Sequence, residues 1–175
     1  MRITISGLPG SGTTTVARML ASQLDYRLIS AGEIFRELAR KKNYSLEQFS
    51  KIAEKDSEID TYIDRMQKEM AEKEENVVVE GRLSGWMIED AFKVFIFADH
   101  NARFSRIARR ESKDINQARD ETLRREEYER RRYRKFYGIN IDDWSIYHLI
   151  LNSGYFEAGR IVDIILNAIS SGNLE

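Results

Sequence analysis

Met1–Leu20 reads MRITISGLPGSGTTTVARML, and this stretch decides the fold. A short apolar run, Ile3-Thr4-Ile5, enters a glycine-rich turn, and an amphipathic helical pattern begins at once on its far side. The turn, Gly7-Leu8-Pro9-Gly10-Ser11-Gly12-Thr13-Thr14, follows the phosphate-loop template G-x-x-x-x-G-K-[ST] with one departure, Thr13 in the lysine position. Glycines let successive backbone N–H groups turn inward around a polyphosphate, and the following helix points its positive end at the same anion. A nucleoside triphosphate is the ligand class this predicts. The competing reading is a Gly/Ser-rich tight turn with no ligand. The strand-to-helix setting, where a first βα unit would place a phosphate loop, argues against that.

The 175 residues fit one domain with a sizeable core. Lys and Arg number 28 against 29 Asp and Glu, a balance that argues against wholesale coating by nucleic acid or membrane. The absence of cysteine removes disulfides, thiolate metal sites and a thiol nucleophile. No leader pattern precedes the first strand and no apolar run is long enough to span a bilayer, so a cytoplasmic enzyme, monomeric by default, is the expectation. The sole proline, Pro9, lies inside the glycine-rich turn, which leaves the rest of the chain free for long, charged helices.

Strand patterns fall at Arg2–Ser6, Arg27–Ser30, Asn76–Glu80, Lys93–Ala98 and Tyr147–Asn152. Helical patterns occupy Thr13–Leu24, Glu33–Lys41, Leu46–Glu54, Ser57–Glu74, Ser84–Asp90, Asn101–Glu111, Ile115–Tyr137 and Phe156–Ser170. This alternation predicts an α/β fold, a small three-layer domain around a five-stranded parallel sheet. Ligands of such sheets bind beyond the carboxyl ends of the strands. The segments in question are the phosphate loop, Ser30–Arg36, Glu80-Gly81-Arg82, Asp99-His100 and Asn152-Ser153-Gly154.

These segments resemble those of the nucleoside monophosphate kinases over essentially the whole chain, and among them the cytidylate kinases of archaeal type. The resemblance is carried by Gly7–Thr15, the run SAGEIFRE at Ser30–Glu37, Val77–Arg82 and the arginine-rich region Arg103–Arg132. It implies a P-loop kinase fold as a single domain over 1–175, with a helical flap for the acceptor monophosphate at 31–75 and a short arginine-rich lid at 111–120. It implies ATP and Mg²⁺ as co-substrate and cofactor, and CMP or dCMP as acceptor. ATP's phosphates would lie on Gly7, Leu8, Pro9, Gly10, Ser11, Gly12, Thr13, Thr14 and Thr15. The monophosphate would lie on Ser30, Gly32, Glu33, Arg36, Gly81 and Arg82. Two arginines four apart before the lid map onto Arg106 and Arg110, and a pattern R-[DE]-x-x-[DE]-x-x-R after it onto Arg125, Glu126, Glu129 and Arg132. Leu83 stands where the bacterial relatives carry an aspartate, so base recognition is expected to be solved differently here.

The chemistry needs little covalent help. A phosphate oxygen of the acceptor is already anionic, so no general base is required, and alignment, charge neutralisation and exclusion of water do the rest. Thr14 is expected to give its hydroxyl to Mg²⁺, with helix capping as its simpler role. Glu80 could hold a metal-bound water or bond a neighbouring backbone group. Either a mobile arginine or the backbone nest with Mg²⁺ must stand in for the missing lysine charge. Asp99 is expected to cap the next helix. Arg106, Arg110, Arg125 and Arg132 are expected to act on the transferring phosphoryl group. Arg130, Arg131 and Arg134 are expected on a salt-bridged solvent face with i,i+4 pairs Glu121–Arg125, Glu126–Arg130 and Glu127–Arg131. His100 and His148, isolated from other ligands, read as structural. Tyr44, Phe49, Tyr62 and Met66 in the flap region could meet a base, although residues at such spacing are mostly core.

Other readings within the enzyme class are an adenylate or uridylate kinase, or another small-acceptor kinase. A different class, a non-catalytic nucleotide- or RNA-binding protein, is suggested by the absent lysine and by the cluster Arg124–Lys135. Against it, Glu126, Glu127 and Glu129 dilute that cluster and no base-stacking aromatic motif is present, so nucleic acid is not expected as a partner.

Overall fold

Buried alternation along the strands builds two helical layers onto one sheet. In the computed structural model, which describes residues 1–53 and 55–171, β1 (Arg2–Gly7), β2 (Arg27–Ser30), β3 (Val77–Glu80), β4 (Phe92–Phe97) and β5 (Leu149–Asn152) form a parallel sheet in the order β2-β3-β1-β4-β5. Ile3, Ile5, Val78, Val94 and Ile96 face α1 (Thr13–Leu24) and α8 (Ala158–Ser171) through Val16, Leu20, Ile161 and Ile165. On the opposite face Ile29, Val77 and Val79 meet Ala71 of α4 (Ser57–Glu72) and, beyond the four-residue α5 (Ser84–Met87), Ile88. Side chains of period two therefore feed two separate cores, as a central parallel sheet requires.

Between β2 and β3 the chain makes α2 (Ala31–Lys41), α3 (Leu46–Ala53) and α4. These helices, the segment expected as the flap, share a small core of their own, Ala39, Phe49, Ala53, Ile59 and Ile63. The expected end of α3 at Glu54 lies outside the described residues, as do positions 172–175 of the expected domain. Helix α2 begins at Ala31 rather than Glu33, so Gly32 and Glu33 sit in its first turn.

After β4, α6 (His100–Glu111) and α7 (Ile115–Tyr137) pack as a helical hairpin through Ile107, Ala108 and Ala118. Most of the segment 111–120, expected as a lid, is helical. Only Ser112–Asp114 separates the helices, with Ser112 left-handed at φ 52° and Asp114 accepting hydrogen bonds from the backbone N–H groups of Asn116 and Gln117. That cap starts α7 at once and leaves no room for a longer loop.

The phosphate loop lies at the carboxyl edge, between β1 and α1. Gly10 and Gly12 adopt positive φ, 78° and 86°. A Cβ on Gly10 would stand 2.6 Å from the carbonyl oxygen of Arg103, so the loop rests directly on the first turn of α6. Gly10→Ala should thus meet both backbone strain and a backbone clash. A loss of about 1–3 kcal/mol in urea unfolding is expected, together with weaker ATP binding by calorimetry.

Candidate active site

The loop is held from behind. Arg82, just past β3, donates from Nη1 to the carbonyl of Gly7 at 2.5 Å. Arg103 and Arg106 of α6 donate to the carbonyls of Pro9 (3.1 Å) and Gly10 (3.2 Å). Ser153, after β5, donates to the carbonyl of Ser11 at 2.7 Å. Four consecutive-zone carbonyls are thereby engaged on the outer side. This is the arrangement that leaves inward N–H groups for an anion.

Arg103 is the most buried cation of the molecule, 1% exposed. The same Nη1 that serves Pro9 also donates to Glu126 of α7 at 2.5 Å. Arg106 is completed by Ser153, through Nη1 to its hydroxyl (3.0 Å) and Nη2 to its carbonyl (2.7 Å). Arg82 turns its Nε to Glu129 Oε2 at 3.0 Å, and Arg125 donates to the other oxygen of Glu129 at 2.9 Å. Burial works to raise the pKa of Glu129, but Arg82 and Arg125 outweigh it and hold the carboxyl below its ordinary value. Glu129 is thus an anionic bridge between β3 and α7.

Glu80 ends β3 inside the crevice and is 8% exposed. Thr13 Oγ1 (2.8 Å) and Thr14 Oγ1 (3.3 Å) donate to its Oε1, and Ser30 Oγ (2.7 Å) donates to its Oε2. Glu80 therefore bonds side-chain hydroxyls and not a neighbouring backbone group. Among the described residues no cationic side chain pairs with it. A buried carboxylate with neutral partners alone is an incompletely compensated charge. Thr13, in the lysine position, has its hydroxyl turned to this carboxylate, and Thr14 does the same rather than capping α1, whose N-cap Gly12 carries no side-chain bond.

Two grooves open on this edge. One, beside the loop, is lined by Gly12, Thr15, Arg106, Ser153, Gly154 and Phe156. The other runs along α2 past Glu33, Arg36, Glu37, Arg40 and Tyr44. Gly81 is closely covered, since a Cβ there would lie 2.9 Å from Gln67 Oε1, and Gln67 donates to the carbonyls of Glu80 (2.6 Å) and Ile29 (3.4 Å).

The structure brings Gly7–Thr15, Ser30, Glu80, Gly81, Arg82 and Arg106 together at the carboxyl edge, with Gly32 and Arg36 at the start of α2. It does not bring in every expected side chain. Arg110 pairs with its neighbour Glu111 and is 65% exposed. Glu33 faces Arg18 of α1 at 3.1 Å on the surface. Arg132, 5% exposed, forms ion pairs with Asp60 and with Asp64 (3.9 Å) of α4. Of the expected i,i+4 pairs only Glu127–Arg131 forms, at 2.8 Å. Glu121 goes to Lys113, Glu126 to the buried Arg103, and Arg130 to Asp142, because tertiary partners displace the local ones. Several arginines of α7 are therefore committed to carboxylates. Asp99 caps α6, accepting from the Ala102 N–H at 3.0 Å. His148 accepts from the Lys93 N–H, and His100 stacks on Phe104, so both are structural. Phe49 is core, packed on Phe35, while Tyr44 and Tyr62 stay exposed. Leu83 is buried against Tyr133 and Ile141.

Sequence reasoning did not single out Ser153, Gln67, Asp60 and Asp64 as site residues. Ser153 had a signal, its position just after β5. The α4 residues had another, polar side chains at 60, 64 and 67 along a helix that also has to bury Ile63 and Ala71.

A parallel sheet ordered in this way, with a phosphate loop after its first strand and helices closing over the carboxyl edge, defines a P-loop kinase. A solved shikimate kinase from Bacteroides thetaiotaomicron shares the fold at a TM-score of 0.68 and 16% identity, covering 97% of this chain and 98% of that one. The model of the cytidylate kinase-like family matches residues 2–155, and the chain belongs to that family. It is 61% identical over 170 residues to a cytidylate kinase of Archaeoglobus fulgidus, covering 97% of this chain and 94% of the relative. It is 48% identical to a cytidylate kinase of Methanoregula boonei, with the same coverage. Among the described residues no helix is long and apolar enough to cross a membrane.

Two predictions follow from the ion pairs. Glu126→Ala strands the Arg103 guanidinium without its carboxylate, and a loss of about 3–5 kcal/mol is expected in denaturant unfolding. Asp64 is a second case. Burial pushes its pKa up to about 7; the Tyr137 hydroxyl, 3.1 Å away, works against this and the charge of Glu129 adds to it. A folded pKa above the unfolded one means that the folded state binds the extra proton. Its stabilising contribution is full below about pH 4 and is lost as pH rises toward about 7. Asp64→Asn should therefore gain stability relative to the parent chain across that window, as read by thermal midpoints at a series of pH values.

Proposed function

We propose that the chain transfers the γ-phosphoryl group of ATP to CMP, and to dCMP, giving ADP and the corresponding diphosphate. The observation that carries this reading is the back-pinned phosphate loop facing a buried, cation-free carboxylate, in a chain of the cytidylate kinase-like family. An acceptor phosphate oxygen attacks the γ-phosphorus, and the bond to the β-phosphate oxygen breaks toward ADP. Loop N–H groups and the start of α1 hold the triphosphate. The groove at Thr15, Arg106 and Phe156 takes the donor's nucleoside, and Arg36 with Ser30, Gly32, Gly81 and Arg82 receives the acceptor phosphate.

The donor set at Glu80, a carboxylate ringed by Thr13, Thr14 and Ser30 hydroxyls, is all oxygen and suits a hard cation. Thr14 and Glu80 would hold Mg²⁺, directly or through water, and the ion would supply charge neutralisation on the β- and γ-oxygens. Arg110 and Arg125, both exposed on the lid helices, are the side chains with freedom to swing onto the transferring group when the flap and hairpin approach. Arg106 acts from a fixed position behind the loop. The chain acts on small nucleotides as a monomer in the cytoplasm, without a nucleic-acid partner.

An ADP-release assay with CMP, dCMP, UMP, AMP and GMP tests this. Turnover is expected to be highest with CMP and dCMP. No turnover with any acceptor, together with salt-sensitive RNA binding, would overturn it. Glu80→Gln should lower kcat by about 10²-fold or more, with smaller change in KM for CMP, since the lost charge matters most where phosphoryl charge develops.

A further inference from the structure

An arginine–carboxylate pair is strongest when two parallel N–H donors of the guanidinium fork meet the two carboxylate oxygens. The pair Arg103–Glu126, with side chains 1% and 2% exposed, forgoes that geometry. Arg103 meets Glu126 through Nη1 alone, 2.5 Å from Oε1, and the same Nη1 donates to the Pro9 carbonyl at 3.1 Å. Its Nε and Nη2 are buried without a partner. Idle donors on a buried cation cost stability. What this orientation secures is one nitrogen clamped between a carboxylate of α7 and a carbonyl of the phosphate loop. Glu126 also has an exposed candidate partner one turn on, Arg130, yet it turns inward and leaves Arg130 to Asp142.

The clamped carbonyl governs the inner side of the loop. In a planar trans peptide the C=O and the following N–H point in opposite directions. Pinning the Pro9 carbonyl outward therefore turns the Gly10 N–H inward, and among the described residues no acceptor meets that N–H. Gly10 is left-handed at φ 78° and lies against the Arg103 backbone, so this peptide is seated on the residue that pins it. Arg106, one turn further along α6, is braced by Ser153, whereas the brace of Arg103 comes from a different helix, 23 residues on.

We propose that Glu126 is a positioning residue for the phosphate donor: by fixing Arg103 Nη1 it sets the Pro9–Gly10 peptide so that the Gly10 N–H faces the phosphates of ATP. This rests on the reading of the loop as ATP's site and names the residue of α7 that holds the loop in shape from behind. Glu126 acts only through Arg103, so the two side chains form one unit and their removal is not additive. The unit serves the donor and not the acceptor, so its loss falls on one nucleotide. An apolar pair of similar volume would keep the packing and lose the clamp.

The test is Kd for ADP by calorimetry, with no acceptor present, and KM for CMP in turnover. Both are measured in the parent chain, Arg103→Met, Glu126→Gln and the double variant, each checked for cooperative thermal unfolding. Each single variant is expected to bind ADP ~10-fold more weakly, the size of one lost hydrogen bond to a charged group. The double variant is expected to bind no more weakly than Arg103→Met, with KM for CMP within ~2-fold of the parent throughout. Unchanged ADP affinity in folded Glu126→Gln, additive losses in the double variant, or an equal loss for CMP overturns the proposal. Where the parent binds ADP and turns over no acceptor, the kinase reading falls and the ADP affinities alone decide; a parent that does not bind ADP takes down both. Should the single variants fail to fold, R103M/E126L decides. It is expected to unfold at or above the parent midpoint, since apolar replacement of a buried pair is often neutral or stabilising, and to bind ADP ~10-fold more weakly; parental affinity overturns the proposal. The parent chain supplies a check that needs no variant. By reciprocity, ADP is expected to slow amide hydrogen exchange over 122–130 of α7 by about 5-fold or more, and unchanged exchange there overturns the proposal.

Discussion

Everything at the carboxyl edge depends on what happens to the outward carbonyls of the phosphate loop. A loop that turns its N–H groups toward an anion must turn carbonyls the other way, and here those meet Arg82, Arg103, Arg106 and Ser153. Backbone groups that would otherwise be stranded become the anchor points of three other segments, the ends of β3 and β5 and the start of α6. The loop is preorganised because relaxing it would break bonds to each of them, and preorganised dipoles require no reorientation when charge moves.

The same anchoring bears on the lysine that Thr13 replaces. Three guanidiniums stand on the outer side of the loop and donate to its carbonyls, two of them, Arg82 and Arg103, also paired with Glu129 and Glu126. Thr13 is then free to do something a lysine could not. It joins Thr14 and Ser30 as a neutral hydroxyl donor to Glu80. An ammonium at position 13 would instead bring a positive charge onto Glu80. The threonine and the arginine scaffold are two halves of one solution.

The parallel sheet, its carboxyl edge and the strand-to-helix loop were legible from local patterns, because period-two burial and glycine spacing are short-range properties. Boundaries slipped by one to three residues at several helix ends, as at Ala31, while α7 fell where it was expected, started by the Asp114 cap. The arginines show what local reading cannot reach. Side chains on one helical face look alike in sequence, yet Arg103 is buried on Glu126, Arg106 is fixed on Gly10 and Ser153, Arg110 is exposed, and Arg132 faces α4. The partners of Arg103 and Arg106 lie 23 to 96 residues away in the chain. The expected pair Glu126–Arg130 fails for the same reason, since a buried guanidinium outcompetes an exposed one for a single carboxylate.

Buried ion pairs are a poor way to gain stability, because desolvation offsets most of the attraction. Two of them here, Arg103–Glu126 and Arg132 with Asp60 and Asp64, sit where an apolar pair of similar volume would pack at least as well. What an apolar pair could not do is hold a phosphate loop by its carbonyl or keep donors and acceptors in place next to a crevice. The first pair joins α7 to the loop, and the second joins α7 to the flap. Helix α7 is thus in polar contact with both the loop scaffold and α4.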